Sequence, residues 1–338
     1  MLQICVESIK TETPDTATFY LRPVSGERIP YKAGQFITLV VNHHGEEIRR
    51  SYSLSSSPDE DLLSITVKRV ANGEISRYLL AYAKPGDVWD VVEPAGRFTV
   101  PNDAGNKELL YFAAGGGIPP VYAHLKYLLK HSTDCRITLF YSNINPQSII
   151  YKKQLDELQT QHPQQLKIIH LLSSEVQRLN NIMVEKLVKQ YVKKDIDDAE
   201  FYLCGPFSYM RMVRLTLLYM GIPPEHIHRE TFVLETVPVS TSVTNFPPHK
   251  MRIHYQGEWH DLMTGENQTI LQAALQNQLH LPYSCANGVC AACAVKCKSG
   301  KVTIVKNEVL TDDEMKQGWV LTCTGYAVSD DVQLDYEI

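Results

Sequence analysis

Long apolar runs are missing: no stretch of the 338 residues approaches the ~18 needed to span a bilayer as a helix, so no membrane span is expected. Met1-Leu-Gln-Ile-Cys-Val-Glu7 lacks a basic region followed by an apolar one, so secretion is not expected and the cytoplasm is the expected compartment. Basic charge is not in excess: 33 Lys and Arg stand against 38 Asp and Glu, which does not suit a nucleic-acid binder. No internal repeat or low-complexity tract is visible. No G-x-G-x-x-G run occurs, so the usual dinucleotide fingerprint is absent. The twelve His residues are scattered, with no His/carboxylate group at facial-triad spacing, which excludes a self-contained oxygenase of that kind.

What is present begins with cysteine. Eight are found, and four of them form Cys285-Ala-Asn-Gly-Val-Cys290-Ala-Ala-Cys293 with Cys323 after a gap of 29 residues. C-x4-C-x2-C followed by a distant Cys is the spacing of a plant-type [2Fe-2S] site. Two irons need four thiolates at one compact place, so a tight loop supplies three and a remote segment the fourth. Ala286, Gly288, Ala291 and Ala292 are small enough to let the backbone wrap closely and turn its N–H groups toward sulfur. A structural zinc site uses the same residue type, but zinc ribbons pair short C-x2-C units and Cys323 has no near mate. Cys290, Cys293 and Cys297 also mimic part of a bacterial ferredoxin run, yet Cys297 falls in Ala294–Val302, which reads as an outgoing strand. Thiols in a metal pattern point to a reducing compartment rather than a disulfide framework.

A one-cluster carrier takes about ninety residues, so the remaining ~250 are expected to supply or receive its electrons. Acidic charge is concentrated on this last part: residues 251–338 hold 11 Asp/Glu and 6 Lys/Arg, while residues 1–250 hold 27 of each. That imbalance serves solubility, or steers the module to a basic patch on an acceptor protein.

The length suits two or three domains, and 44% hydrophobic with 21% charged residues is ordinary globular composition. Residues 1–103 read as an antiparallel β-barrel, with strands at Gly34–Val41 and Leu62–Val70 and a helix over Gly73–Ala83. Residues 104–235 alternate strand and helix, which predicts a parallel α/β sheet. Its strands are expected at Glu108–Ala113, Ile137–Tyr141, Leu166–Leu172, Glu200–Cys204 and His226–Phe232. Its helices include one ending at Leu129, Ser148–Leu158 and Phe207–Met220. Residues 236–249 are rich in Pro, Ser and Thr and read as a linker. Residues 250–338 form the cluster module, expected as an α+β β-grasp domain with a helix over Thr269–Gln278.

Four further motifs carry chemistry. In Arg49-Arg50-Ser51-Tyr52-Ser53, strand alternation puts Arg50 and Tyr52 on one face, able to meet a phosphate and a flat ring, with Ser53 on the other. Gly73-Glu-Ile-Ser76 opens a helix whose free N–H groups suit a pyrophosphate. Gly115-Gly116-Gly117-Ile-Pro-Pro120 links strand to helix, and glycines let backbone approach phosphates. Tyr202-Leu-Cys204-Gly205-Pro206 ends a strand at a carboxyl edge, where ligands of such sheets bind. Each alone also fits an exposed Arg, a plain tight turn or a buried Cys; their joint occurrence gives them weight.

Together these residues resemble the ferredoxin–NADP reductase-like flavoprotein reductases that carry a plant-type ferredoxin domain. The module order looks most like the reductase subunits of phenylacetyl-CoA epoxidases. It is also similar to reductases of other multicomponent oxygenases and of hybrid-cluster proteins. The resemblance implies flavin contacts from Arg50 to phosphate, from Tyr52 to the ring and from Ser53 near flavin N5, with Val67 and Lys68 on the next flavin-lining strand. It implies pyrophosphate contacts from Gly73, Ile75 and Ser76. It assigns Gly115, Gly116 and Gly117 to the nicotinamide nucleotide, and Cys204, Gly205 and Pro206 to the nicotinamide ring. Glu230 and Phe232, in Arg229-Glu-Thr-Phe232, match the end of the last strand near the flavin. Ser53, Cys204 and Glu230 are the expected catalytic positions, and Cys285, Cys290, Cys293 and Cys323 the metal ligands.

The implied function is an enzyme that moves electrons from NAD(P)H through FAD to a [2Fe-2S] cluster and on to a protein acceptor, expected to be an oxygenase component. A hybrid-cluster or other redox protein is the alternative acceptor, and a zinc-bearing scaffold the non-enzyme alternative. A flavohaemoprotein is disfavoured by the lack of a globin-like module. Relatives often carry Gly-Ile-Thr-Pro where this chain has Gly117-Ile-Pro-Pro120, and Arg where it has Ile144 and Ser174. A 2′-phosphate wants a guanidinium fork, and Glu175 would repel it while bonding a ribose hydroxyl. NADH is therefore expected over NADPH.

Overall fold

The computed structural model describes residues 2–43, 45–70, 73–101, 104–175, 178–193, 198–232 and 245–337. It forms two compact units, Met1–Val233 and Leu234–Ile338. Among the described residues no helix is long and apolar enough to cross a membrane.

The first unit opens with β1 (Leu2–Thr13), β2 (Thr16–Pro23), β3 (Phe36–His43), β4 (Glu46–Ser53) and β5 (Leu63–Lys68), then α1 (Glu74–Tyr82) and β6 (Val88–Ala95). These six strands run antiparallel in the order β4-β3-β6-β1-β2-β5. The two outer strands meet where Leu54 bridges Ile65 and Ser55 N–H donates to the Ser64 carbonyl at 2.7 Å, which closes the sheet into the expected barrel. Period-2 alternation sorts β5: Leu63, Ile65 and Val67 fill the barrel core, while Ser64, Thr66 and Lys68 face outward.

The parallel sheet follows as β7 (Glu108–Ala114), α2 (Ile118–His131), β8 (Arg136–Asn143), α3 (Lys152–Gln161), β9 (Leu166–Leu172), α4 (Asn181–Tyr191), β10 (Ala199–Cys204), α5 (Phe207–Tyr219) and β11 (Ile227–Glu230). Its order is β11-β10-β7-β8-β9. The chain proceeds outward from β7 to β9, then returns to β10 on the other side. The carboxyl ends of β7 and β10 thus flank the topological switch point, where such sheets bind ligands. Strand β7 is buried on both faces: Leu109 and Tyr111 pack in the core beneath α2, Leu110 and Phe112 in the core of α4 and α5.

The barrel and this sheet share contacts that run from the core to the surface. His124 of α2 is fully buried, with Nε2 3.0 Å from the Phe98 carbonyl, its ring stacked on Phe98. Tyr151 bonds Thr66, Gln154 donates to Glu12 at 3.2 Å, and His131 meets Asp59 at 2.6 Å.

Two elements differ from expectation. The helix expected from Ser148 begins at Lys152, because Asn145 caps a short 3-10 turn at Pro146–Ser148 and Tyr151 adopts a left-handed backbone, φ +60°. The last strand stops at Glu230, leaving Phe232 beyond it and 41% exposed. Helix α4, which did not figure among the expected helices, starts at an Asn180 side-chain cap on Met183 N–H.

The second unit comprises β12 (Lys250–Tyr255), β13 (Glu258–Met263), α6 (Ile270–Gln276), β14 (Ala294–Ser299), β15 (Val302–Ile304), α7 (Asp312–Lys316), β16 (Trp319–Leu321), β17 (Gly325–Ala327) and β18 (Val332–Asp335). The main sheet is β13-β12-β18-β14-β16, with β12 and β18 parallel and a β15–β17 ribbon beside it. Helix α6 starts with a Thr269/Gln272 capping box and buries Ile270, Leu271, Ala273 and Ala274 against the sheet. This is the expected α+β β-grasp form. Of the expected linker, residues 236–244 lie outside the described residues, and 245–249 are irregular.

Candidate functional site

Strand β4 places the Arg50–Ser53 motif at the barrel wall. Arg50 is exposed, its Nη1 donating to the Arg49 carbonyl at 2.7 Å. Tyr52 is partly buried, and desolvation pushes its phenol up to about 12, Arg50 opposing. Ser53 lies opposite Phe36 and is 4% exposed, yet its Oγ has no partner among the described residues. A buried hydroxyl normally has one, so this orphan fits a ligand atom such as a flavin ring nitrogen.

Val67 is fully buried in the barrel core, so only its backbone can reach a ligand. Lys68 turns outward: Nζ lies 3.1 Å from Asp15, and a Cβ on Gly116 would stand 3.5 Å from its Cδ. Lys68 thus lies beside the glycine turn at the seam, not on the barrel interior. At α1, Gly73 is the N-cap without a side-chain cap, and a helix N-terminus of this kind suits an anion. Ser76 Oγ donates to the Gly73 carbonyl and accepts from Val70 N–H, both at 3.2 Å, while Ile75 anchors the helix in the core. A Cβ on Gly73 would fall 2.7 Å from Ser76 Oγ, so the turn needs glycine.

At the switch point, Gly115–Gly117 form a tight turn between β7 and α2, with Pro119 and Pro120 in the helix's first turn. A Cβ on Gly117 would lie 2.3 Å from the Cys204 carbonyl, and one on Gly205 2.9 Å from Ala114 Cβ. The two carboxyl-edge motifs are therefore in direct contact. Pro206 caps α5. Cys204 is fully buried; burial pushes its thiol up, and the Glu230 charge adds to this. Glu230 is its neighbour across the β10–β11 pairing and is 7% exposed; burial raises its carboxyl to about 8. Its proton is held well above the ordinary carboxylate range.

Sequence reasoning passed over three tyrosines. Tyr141 donates to the Gly115 carbonyl at 3.0 Å, Tyr209 to the Ala113 carbonyl at 3.3 Å, and Tyr151 bonds Thr66. Their only local signal is an aromatic hydroxyl at a strand end or helix start, which does not reveal a partner. The loops after β8 and β9 do meet: Ser174 N–H donates to the Ile144 carbonyl at 2.9 Å, and Ser173 Oγ to the Asn143 carbonyl at 3.1 Å. Glu175 is exposed beside them.

In the second unit the four predicted thiols converge. Cys293 and Cys323 sulfurs lie 3.2 Å apart, the Cys285 N–H donates to Cys290 Sγ at 3.5 Å, and Cys290 and Cys323 both lie close enough to lower the Cys285 thiol. Pairing of Ala294 with Leu321 brings the Cys323 turn to the loop, and Thr322 N–H reaches the Cys293 carbonyl at 3.3 Å. Positive φ at Ala286, Gly288 and Ala291 wraps the loop around the sulfurs. Asn287 and Val289 N–H groups then donate to Cys285 Sγ at 3.3 and 3.5 Å. Those thiol and amide donors hold the Cys285 thiol far below its ordinary value. All eight cysteines are free. Cys297 lies on β14, donating to the Ser299 carbonyl at 3.1 Å, outside the four. Four converging thiols with amide donors at sulfur fit a [2Fe-2S] cluster.

Three family models cover the chain: an oxidoreductase FAD-binding domain matches residues 3–100, an oxidoreductase NAD-binding domain 112–215, and a 2Fe-2S iron-sulfur cluster binding domain 253–328. The last removes the zinc-scaffold reading. One component of the 1,2-phenylacetyl-CoA epoxidase of Escherichia coli K12 is 30% identical over 99% of this chain and 97% of its own. The ferredoxin reductase component of 3-ketosteroid-9-alpha-monooxygenase from Mycolicibacterium smegmatis is 33% identical over 100% and 97%. Among solved structures, phthalate dioxygenase reductase superimposes with a TM-score of 0.61 at 25% identity, covering 99% of this chain and 97% of that one. With flavin, nicotinamide and cluster modules in one chain, the protein is an NAD(P)H-dependent oxidoreductase that delivers electrons through FAD to a [2Fe-2S] cluster. The chain belongs to the family of FAD-, NAD- and [2Fe-2S]-containing reductases that includes the reductase components of these oxygenases.

Proposed function

We propose that this reductase supplies an oxygenase component in the cytoplasm, and that NADH is its preferred electron source. Full-length similarity to oxygenase reductase components supports the acceptor class. The all-thiol donor set suits a reducing compartment. The nucleotide preference rests on the joined Ile144 and Ser174 loops, where Glu175 is exposed and neither position offers a guanidinium for a 2′-phosphate.

We assign the module boundaries as 1–103, 104–235 and 250–338, with 236–249 linking the last. Bound FAD would supply the chemistry that joins a two-electron hydride donor to a one-electron cluster. The chain's own residues hold and orient. Arg50 and the α1 N-terminus take the phosphates, with Gly73, Ile75 and Ser76 shaping that turn. Tyr52 packs on the ring and Ser53 Oγ donates to a ring nitrogen. The Gly115–Gly117 turn takes the nicotinamide nucleotide, and Lys68, lying against Gly116, meets its phosphates. Cys204, Gly205 and Pro206 form the wall beside the nicotinamide, Glu230 supplies a neutral carboxyl there, and Phe232 borders the flavin. Cys285, Cys290, Cys293 and Cys323 ligate the irons.

The observation that carries this reading is the convergence of the four thiols in a chain that also joins its two glycine-bearing carboxyl-edge motifs. The test is anaerobic visible spectroscopy of the loaded protein during titration with NADH, then NADPH. Bleaching of flavin and cluster bands, faster with NADH, is expected. A loaded protein that neither nucleotide reduces would end the reading, and faster bleaching by NADPH would reverse the preference.

A further inference from the structure

Among the described residues of the first unit, Tyr151 is the only non-glycine with positive φ, at +60°. An aromatic residue keeps that conformation only where its surroundings over-determine it. Those surroundings are specific. The ring is 2% exposed and stacks on Tyr122, centroids 4.4 Å apart and 24° between planes. The hydroxyl bonds Thr66 Oγ1 on β5, within a buried hydroxyl group that includes Thr18, 2.8 Å from Thr66, and Ser55.

Tyr122 lies on α2, the helix that starts directly after the glycine turn. Tyr141, in the same buried core as Ile150 and Tyr151, donates to the Gly115 carbonyl at 3.0 Å. A buried path therefore runs from strand β5, which carries Val67 and Lys68, to the glycine turn: Thr66 is hydrogen-bonded to Tyr151, Tyr151 is stacked on Tyr122, and Tyr122 sits on the helix that leaves the turn. The Tyr141 bond also sets an orientation. The peptide joining Gly115 to Gly116 is planar and trans, so with its carbonyl drawn to Tyr141 its N–H faces the other way.

We propose that Tyr151 is a positioning residue for hydride transfer: its hydroxyl, anchored on Thr66, and its ring, stacked on Tyr122 of α2, hold the nucleotide turn in register with the flavin strand. This rests on the assignment of the Gly115–Gly117 turn to the nicotinamide nucleotide. Reaction rates respond steeply to such register, because a misplacement near 1 Å can cost on the order of a hundredfold.

The experiment is anaerobic stopped-flow reduction of the full-length, flavin- and iron-loaded protein. Tyr151→Phe keeps the ring and removes one oxygen; Thr66→Val breaks the same bond from the barrel side. Each is expected to retain flavin and iron and to bind NADH within about twofold of the parent, while the limiting rate of flavin reduction falls on the order of tenfold. The isotope effect with 4-deuterated NADH should rise, and the double variant should be no slower than either single one. An unchanged limiting rate in both single variants, additive losses, or loss of flavin as the sole effect would overturn the proposal. Gly116→Val separates the two levels. If it weakens NADH binding while the tyrosine variants are unaffected, only the positioning role fails. If NADH binding ignores it, the nucleotide assignment fails and the positioning role with it.

Discussion

Gly117 and Cys204 touch where two strands end: a Cβ added to Gly117 would lie 2.3 Å from the Cys204 carbonyl. The close approach lets the turn after β7 and the turn after β10 share one crevice. Replacing Gly117 with Ala must push the strands apart or tilt α2, at a cost of about 1–3 kcal/mol. The expected outcome is a lower melting temperature and weaker NADH binding with FAD retained, read by calorimetry and by NADH titration. An unperturbed NADH affinity would show that the two turns do not form one site.

Ser53→Ala should separate binding from chemistry. The Ser53 hydroxyl is buried and has no partner among the described residues, so its removal should leave the flavin-free protein as stable or slightly more so. Flavin reduction by NADH should slow on the order of tenfold, the loss of one hydrogen bond of ordinary strength. Stopped-flow rates equal to the parent's would remove Ser53 from the reaction.

Glu175→Arg should shift nucleotide preference. A guanidinium beside the joined Ile144 and Ser174 loops can pair with a 2′-phosphate, a charge-assisted bond worth about 1.5–3 kcal/mol. We expect kcat/KM for NADPH to rise about tenfold and that for NADH to fall. Unaltered ratios would place the adenosine ribose elsewhere.

Two buried groups make the flavin-free protein's stability respond to pH in opposite senses. Burial lowers His124 to about 3 from 6.5, so the native state binds fewer protons, and its contribution is lost as pH falls from 6.5 toward 3. Burial raises Glu230 to about 8 from 4.5, so its contribution is present below 4.5 and lost as pH rises toward 8. Between 4.5 and 6.5 the two slopes oppose. Denaturant unfolding across pH should show a Glu230→Gln variant without the alkaline loss while the acid loss persists.

Gly288→Ala should act on the cluster alone. Gly288 has φ +70°, and a Cβ there would stand 2.4 Å from the Lys306 carbonyl. The loop must open, drawing the Asn287 and Val289 amides off Cys285 Sγ. Iron and acid-labile sulfide per chain should fall while FAD content stays at parental level, because the flavin barrel belongs to a separate compact unit. Equal loss of both would contradict that independence.

Much of this protein is legible locally. The cluster ligands follow from spacing, because three thiols within nine residues can meet only by a tight wrap, and Ala and Gly between them permit it. The barrel, the parallel sheet and the β-grasp module follow from period-2 and strand–helix patterns, which report on the immediate chain neighbours of each residue. Other features depend on segments far apart in sequence. Nothing near Lys68 tells that its stem lies on Gly116, and nothing near Tyr151 tells that its hydroxyl reaches Thr66, 85 residues earlier. The burial that raises Glu230 and lowers His124 is likewise a property of assembled layers. Local chemistry thus names the groups able to bind flavin, nucleotide and iron. Packing decides which of them meet, because close contacts and lost solvent exist only once distant strands and helices have come together.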